Sequence, residues 1–481
     1  MSPNFPAAAP LKVAVVGHTN TGKTSLLRTL TRDTTFGEVS DSPATTRDVR
    51  GAALTVEGQP IAELYDTPGL EDPIALLERL EQLRGGERAI GHDLVQRFLA
   101  HDDARRVFAQ EAKAIRQVMA SDVALYVIDA RESVLGKYRD EVAILTYCAR
   151  PIVPVLNFIA SPTARATEWR DELARLNLHA VAEFDTLELG EMSEQRLFEK
   201  MRTLLDSHRE QIDAIIADRH RMRDALIANA ANTIAELLID AAAYVVRTPV
   251  DDEAKLAAAI DTLQQRIRER EQRTVDQLLE DFRFRSDDYL PTDLPFKDGQ
   301  WQFDLFNPET QRRFGVRTGG GAATGAAVGL IADIASAGLT LGTGTVLGAA
   351  IGGIVGSGAA EGRRLLNRIR GYRELCCDDA TLITLTLRQL NLVRTLLRRG
   401  HASLTPVRLD TYDARPGKPA APPRLPSPLR RARAQPNWSH IGSSKHARPG
   451  GTDRRRAAVS ELSQLLSEKL RIPADRPINL L

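Results

Sequence analysis

Gly17-His18-Thr19-Asn20-Thr21-Gly22-Lys23-Thr24 is the stretch that decides the fold. Its glycines let the backbone wrap a group of phosphate oxygens with the N–H groups pointing inward. Lys23 brings a positive charge between the terminal phosphates, and the Thr24 hydroxyl is a ligand of the kind Mg²⁺ takes. Ser25 follows on the same turn. Upstream, Leu-Lys-Val-Ala-Val-Val at 11–16 predicts a short buried strand, and the run from Lys23 to Thr31 predicts a helix. A strand that feeds a glycine loop and opens a helix is the setting in which this pattern means phosphate binding. A glycine turn with an incidental lysine would need neither neighbour.

Further along, residues 51–57 and 60–65 predict two strands on either side of the turn Glu57-Gly58-Gln59-Pro60. The β-branched apolar runs 122–129 and 151–156 predict two more, and 179–184 a weaker one. Helical stretches alternate with them, which predicts a doubly wound α/β sheet. Asp66-Thr67-Pro68-Gly69 closes the strand at 60–65. An acid there can hold Mg²⁺ through a water, and the Gly69 amide can reach the γ-phosphate. Between loop and turn lies Ala44-Thr45-Thr46-Arg47-Asp48, where a threonine can ligate the Mg²⁺ and sense the γ-phosphate.

The Gly-x-x-Asn-x-Gly-Lys-Thr loop, the Thr-Thr-Arg-Asp segment and Asp-Thr-Pro-Gly resemble the Era and TrmE-like branch of the translation-factor-related GTPases over residues 11–205. The layout as a whole resembles uncharacterised bacterial GTPases with a helical, glycine-rich C-terminal region of unknown function. The resemblance implies a P-loop GTPase sheet followed by a mostly α-helical region. It implies a GTP-binding and GTP-hydrolysing, Mg²⁺-dependent switch with GTP contacts along Gly17, His18, Thr19, Asn20, Thr21, Gly22, Lys23, Thr24 and Ser25. Thr46 matches the switch threonine that joins Thr24 and Asp66 around the metal. Asn20 matches the residue that holds K⁺ in the potassium-activated members. Leu70 stands where Ras-like proteins carry a water-orienting glutamine, so that role falls to another group. Counting from Asp66 in the TrmE-like manner lands on Glu78; the other reading of Glu71, Glu78 and Glu81 is a solvated helix face.

One motif departs from the family. The Asn-Lys-x-Asp segment that reads guanine is Asn157-Phe158-Ile159-Ala160 here, with the lysine and the aspartate gone. The aspartate normally accepts two hydrogen bonds from the base edge, and sites built that way discriminate by about 10⁴-fold or more. Phe158 can stack on a base but does not tell guanine from adenine. Asp185 is the first candidate for a substitute acid.

The remainder of the 481 residues reads as a helical middle region over 206–314, a glycine-rich helical hairpin plus a long helix over 315–404, a disordered basic tail over 405–456 and a short amphipathic helix over 457–481. Gly321, Gly325 and Gly329, then Gly344, Gly348, Gly352 and Gly356, recur every four residues, a glycine-zipper spacing that lets helices approach closely. Residues 334–360 carry no charge; their apolar members sum to roughly −2 to −5 kcal/mol toward insertion before glycine, serine and threonine oppose it. Membrane association through 317–360 and a soluble hairpin are both open on this reading. From Arg415 to Arg456 there are eleven Lys or Arg against the single acid Asp453, although the whole chain has a net charge of only +1. That tail suits RNA or an anionic lipid surface, or else a solvated linker. A second copy of the chain is a further candidate partner. The three cysteines, Cys148, Cys376 and Cys377, offer no disulfide framework and no metal spacing. The expectation is a cytoplasmic protein, with the inner membrane as the alternative site. Two rivals accompany the switch: an RNA- or ribosome-associated regulatory GTPase, and a nucleotide-dependent scaffold that does not hydrolyse.

Overall fold

A computed structural model of the chain describes residues 9–31, 49–84, 89–185, 193–249, 252–282, 296–297, 300–301, 303–307, 310, 330–332, 372–398, 425–441 and 452–472. The chain divides into two compact units, residues 1–223 with 398–405, and residues 224–397 with 406–481. The division falls inside a helix, Arg209–Ala243.

The first unit is built on a six-stranded sheet: β1 (Leu11–Val16), β2 (Arg50–Val56), β3 (Gln59–Asp66), β4 (Val123–Asp129), β5 (Ile152–Asn157) and β6 (Ala182–Glu183). The order is β2-β3-β1-β4-β5-β6. Only β2 runs antiparallel to its neighbour, because the tight turn at Glu57 and Gly58 returns the chain directly onto β3. The other neighbours are parallel, joined by helical crossovers. Side chains alternate across the sheet. Leu11, Val13 and Val15 face one core with Leu26, Leu27 and Leu64, while Ala14 and Val16 face the other with Leu76, Phe98 and Ile115. The long gap between β3 and β4 is filled by α2 (Pro73–Gln82) and three further helices, Gly91–Ala100, Asp103–Arg106 and Ala109–Met119. The central strands end together at one edge, where β1, β3 and β5 deliver the phosphate loop, Asp66 and Asn157.

The second unit is mostly helical. The second half of Arg209–Ala243, the helix Glu253–Asp281 and the helix Asp379–Arg398 share one apolar core that includes Leu238, Leu263, Leu278, Leu385 and Leu392. A small antiparallel sheet runs in the order Leu330–Ala332, Tyr372–Cys377, Val246–Pro249.

Three expectations change here. Within the tract expected to be a glycine-rich helical hairpin, Leu330–Ala332 is a strand, with Ile331 opposite Cys376; the other residues of 315–360 lie outside the described residues. Of the long helix expected from Glu361 to Arg399, residues 361–371 lie outside the described residues, and the described helix is Asp379–Arg398. Tyr372–Cys377 is a strand, and the Asp378 carboxylate then accepts the Thr381 N–H at 2.7 Å, which starts a helix at that point.

The largest change is in the basic tail. Residues 425–441 fold into the helix Ser427–Arg433 and a short turn, and Thr452–Arg471 is a full helix. Leu425, Leu429, Trp438, Ile441, Val459, Leu462 and Leu470 are buried in the second unit's core. The charge count missed this because the basic groups have partners far away in sequence. Arg431 pairs with Glu461, and Arg433 with Asp379 and the Cys377 carbonyl. Arg455 pairs with Glu236 and, at 2.8 Å, with Asp240. Asp240 is 1% exposed and also accepts Arg270 Nε at 2.9 Å. Among the described residues one stretch, 206–243, is long and apolar enough to cross a membrane, and 61% of its apolar window is buried in protein. Burial in the core accounts for its composition.

Candidate functional site

The phosphate loop joins β1 to α1 (Lys23–Thr31) and depends on glycine at two points. Gly17 has φ 146°, and a Cβ there would lie 2.3 Å from the Val127 carbonyl oxygen on β4. Gly22 has φ 91°, and its Cβ would lie 2.3 Å from Asn157 Nδ2. Asn20, exposed, takes the left-handed conformation with φ 65°. Lys23 folds back over the loop and donates from Nζ to the carbonyls of Gly17 (3.1 Å) and His18 (2.8 Å). Burial lowers its pKa to about 8, even though the charges of Asp66 and Glu141 pull the other way. A lysine stripped of water in this way is poised to receive anionic oxygens.

Thr24 and Asp66 meet at the edge of the loop, Thr24 Oγ1 donating to Asp66 Oδ2 at 2.7 Å. A hydroxyl and a carboxylate that close suit a small hard cation with a shared water shell, so these residues fit Mg²⁺. Thr67 anchors the turn by donating to the Val15 carbonyl at 2.8 Å. Gly69 then lies directly against the loop: a Cβ there would be 2.6 Å from Thr19 Oγ1 and 2.9 Å from Thr19 N. Leu70 is fully buried and has no means of orienting water. Glu78 is on the exposed face of α2, opposite buried Leu76 and Leu80. Thr46 lies outside the described residues.

Beneath the loop is a charged group that sequence reading missed. Glu141 is fully buried on the helix Gly136–Tyr147. It accepts the Tyr126 hydroxyl at 2.6 Å and pairs with His18 Nδ1 at 2.9 Å. Lys137 Nζ lies 3.1 Å from the other ring nitrogen of His18. Burial beside this carboxylate pushes the Tyr126 phenol well above its usual pKa. Nothing local marks Glu141, since it is 123 residues from His18.

On the far side of the loop, buried Asn157 donates from Nδ2 to the Thr21 carbonyl and accepts the Phe158 N–H, both at 2.9 Å. Phe158 has φ 58°, and Arg131 stacks its guanidinium over the ring at 4.1 Å. Asp129 holds Arg131 through Nε and Nη2, at 2.9 and 2.6 Å. The Ala160 N–H donates to Asp185 Oδ2 at 2.8 Å. The structure therefore brings together Gly17, Lys23, Thr24, Asp66, Gly69 and Asn157, with Phe158 and Asp185 alongside.

Two families match different parts of the chain. Residues 170–464 match a family described as a domain of unknown function, DUF3482. Residues 12–158 match the family described as 50S ribosome-binding GTPase. Among solved structures, a variant of Aquifex aeolicus Era bound to GDP and AlF4⁻ is 21% identical with a TM-score of 0.26, over 37% of this chain and 51% of that one. Era in complex with MgGDPNP and a segment of 16S ribosomal RNA is 22% identical with a TM-score of 0.25, over the same shares of 37% and 51%. The bacterial selenocysteine-specific elongation factor EF-Sec is 16% identical with a TM-score of 0.26, over 42% of this chain and 29% of that one. The chain thus spans about half the length of the Era chains it matches. No protein of curated function matches it.

Proposed function

The chain belongs to the DUF3482 family and carries a P-loop GTPase domain at its amino-terminal end, and on that basis we propose a Mg²⁺-dependent, GTP-hydrolysing switch whose nucleotide state is read by the helical unit. The observation that carries the reading is the meeting of Lys23, Thr24 and Asp66 around one loop. A desolvated ammonium and a hydroxyl–carboxylate pair 2.7 Å apart supply the two charges a β,γ-phosphate and its metal require. Mg²⁺, when bound, would neutralise charge on the phosphate oxygens; Thr24 and Asp66 would hold it. Lys23 would orient the terminal phosphates, and the Gly69 amide would donate to the γ-phosphate, a role that the close seat of Gly69 against Thr19 supports.

The finer roles belong to the same reading. Thr46 would be a further ligand of the metal and would sense the γ-phosphate. Asn20 would hold K⁺ beside the phosphates, and Glu78 would act on the attacking water. The helix Arg209–Ala243, which contributes Ile212 to one core and Leu238 to the other, is the covalent route by which the switch is read. The test is phosphate release from GTP by the full chain with Mg²⁺, with and without K⁺, beside Lys23→Ala and Asp66→Ala. Turnover that falls by about 100-fold or more in both variants supports the switch. Tight Mg²⁺-dependent binding with no release under any of these conditions would replace it with the non-hydrolysing scaffold.

A further inference from the structure

The identity of the base is a separate question from the phosphates, and its answer rests on the nucleotide-binding reading above. After β5 the side chain of Asn157 is committed to the phosphate loop through Thr21. That bond sets Phe158 at the end of the loop, where its Cζ would lie 3.3 Å from a Cβ on Gly22. One face of the ring carries the Arg131 guanidinium, 4.1 Å from its centre. Position 160, where the guanine-reading motif would carry its acid, is an alanine. Its N–H nevertheless meets a carboxylate: Asp185, arriving from the end of β6, accepts it through Oδ2 at 2.8 Å. Asp185 is 2% exposed, and its charge is felt at Arg131. An acid that follows β6 thus lies within hydrogen-bond distance of the backbone at position 160, where the motif's own acid is missing.

We infer that Asp185 is the acid that reads the base in this site, in place of the aspartate that the motif lacks. A carboxylate accepts at up to four lone-pair positions, so holding the Ala160 N–H does not by itself exhaust it. Guanine presents two donors there, N1–H and the exocyclic amino group. Adenine presents a lone pair at N1, which a carboxylate repels. Phe158 adds stacking energy that is indifferent to the base, so the discrimination comes from Asp185.

The experiment is competition of GTP, ITP and ATP for the full chain with Mg²⁺, using inorganic tripolyphosphate as a measure of the phosphate site alone. ITP keeps N1–H and lacks the exocyclic amino group, so it loses one of two charge-assisted bonds and binds roughly 10- to 100-fold more weakly than GTP. ATP binds more weakly still. Asp185→Asn lowers GTP affinity by about the same factor, leaves tripolyphosphate unchanged and draws the GTP:ITP ratio toward one. Wild-type protein that binds the three nucleotides within about threefold of one another overturns the inference. So does an Asp185→Asn protein that retains tripolyphosphate binding and the wild-type GTP:ITP ratio. If that variant loses tripolyphosphate as well, the wild-type order of GTP, ITP and ATP decides. Wild-type protein that binds no triphosphate, or binds equally after Lys23→Ala, defeats the nucleotide reading itself, a different failure from loss of base preference.

Discussion

Raising the pH from 7 to 9 should weaken nucleotide binding by about tenfold, and the reason lies in Lys23. In the nucleotide-free protein burial lowers its pKa to about 8. A bound triphosphate surrounds the ammonium with negative charge and restores it to at least the ordinary lysine range. The complex therefore holds a proton that the free protein releases above pH 8. Apparent affinity is flat below that value and falls by up to tenfold per pH unit above it, or about 1.4 kcal/mol per unit. At pH 9 binding takes up about 0.9 of a proton per nucleotide. Stability of the free protein moves in the opposite sense. Between pH 8 and the unfolded lysine value near 10.5 the unfolded chain binds more protons, so this group contributes stability that grows with pH across that window, to about 3 kcal/mol at most. The assay is isothermal titration in two buffers of different ionisation enthalpy, at pH 7, 8 and 9, with GTP and with inorganic tripolyphosphate. An equal slope for both ligands assigns the proton to the phosphate site and not to the base. Affinities that agree at pH 7 and pH 9, with no proton uptake, would refute the role given to Lys23.

Three further outcomes follow from the packing. Gly22→Ala places a Cβ 2.3 Å from Asn157 Nδ2 at a φ of 91°, so it should cost about 2 kcal/mol or more and cut nucleotide affinity, read by urea unfolding and by titration. Glu141→Ala leaves the Tyr126 hydroxyl and the His18 ring without their buried partner; a loss of about 2–4 kcal/mol is expected, most of it recovered in Glu141→Gln. Asp240→Ala removes the carboxylate shared by Arg270 and Arg455, and should lower stability by about 3–5 kcal/mol without altering nucleotide affinity. An unchanged unfolding midpoint in that last variant would show that the arginines of residues 452–471 are not held as described.

The phosphate loop, the Asp66 turn and the strands that deliver them were legible from sequence because each is decided locally. Lys23 closes on carbonyls five and six residues away, and the alternation of β1 between two cores is written in six consecutive residues. Leu70 could likewise be set aside as a water-orienting group from its side chain alone. The tertiary structure decided the partners of buried charge. Glu141 meets His18 across 123 residues, Asp185 meets Ala160 across 25, and Arg455 meets Asp240 across 215. A count of basic residues from 415 to 456 therefore looked like a solvated tail, while in the fold Arg431, Arg433 and Arg455 are matched by acids on other helices. Hydrophobic periodicity and glycine spacing report what a segment does on its own. Whether a charge is neutralised, and a segment thereby allowed into a core, depends on groups that only folding brings within a few ångströms.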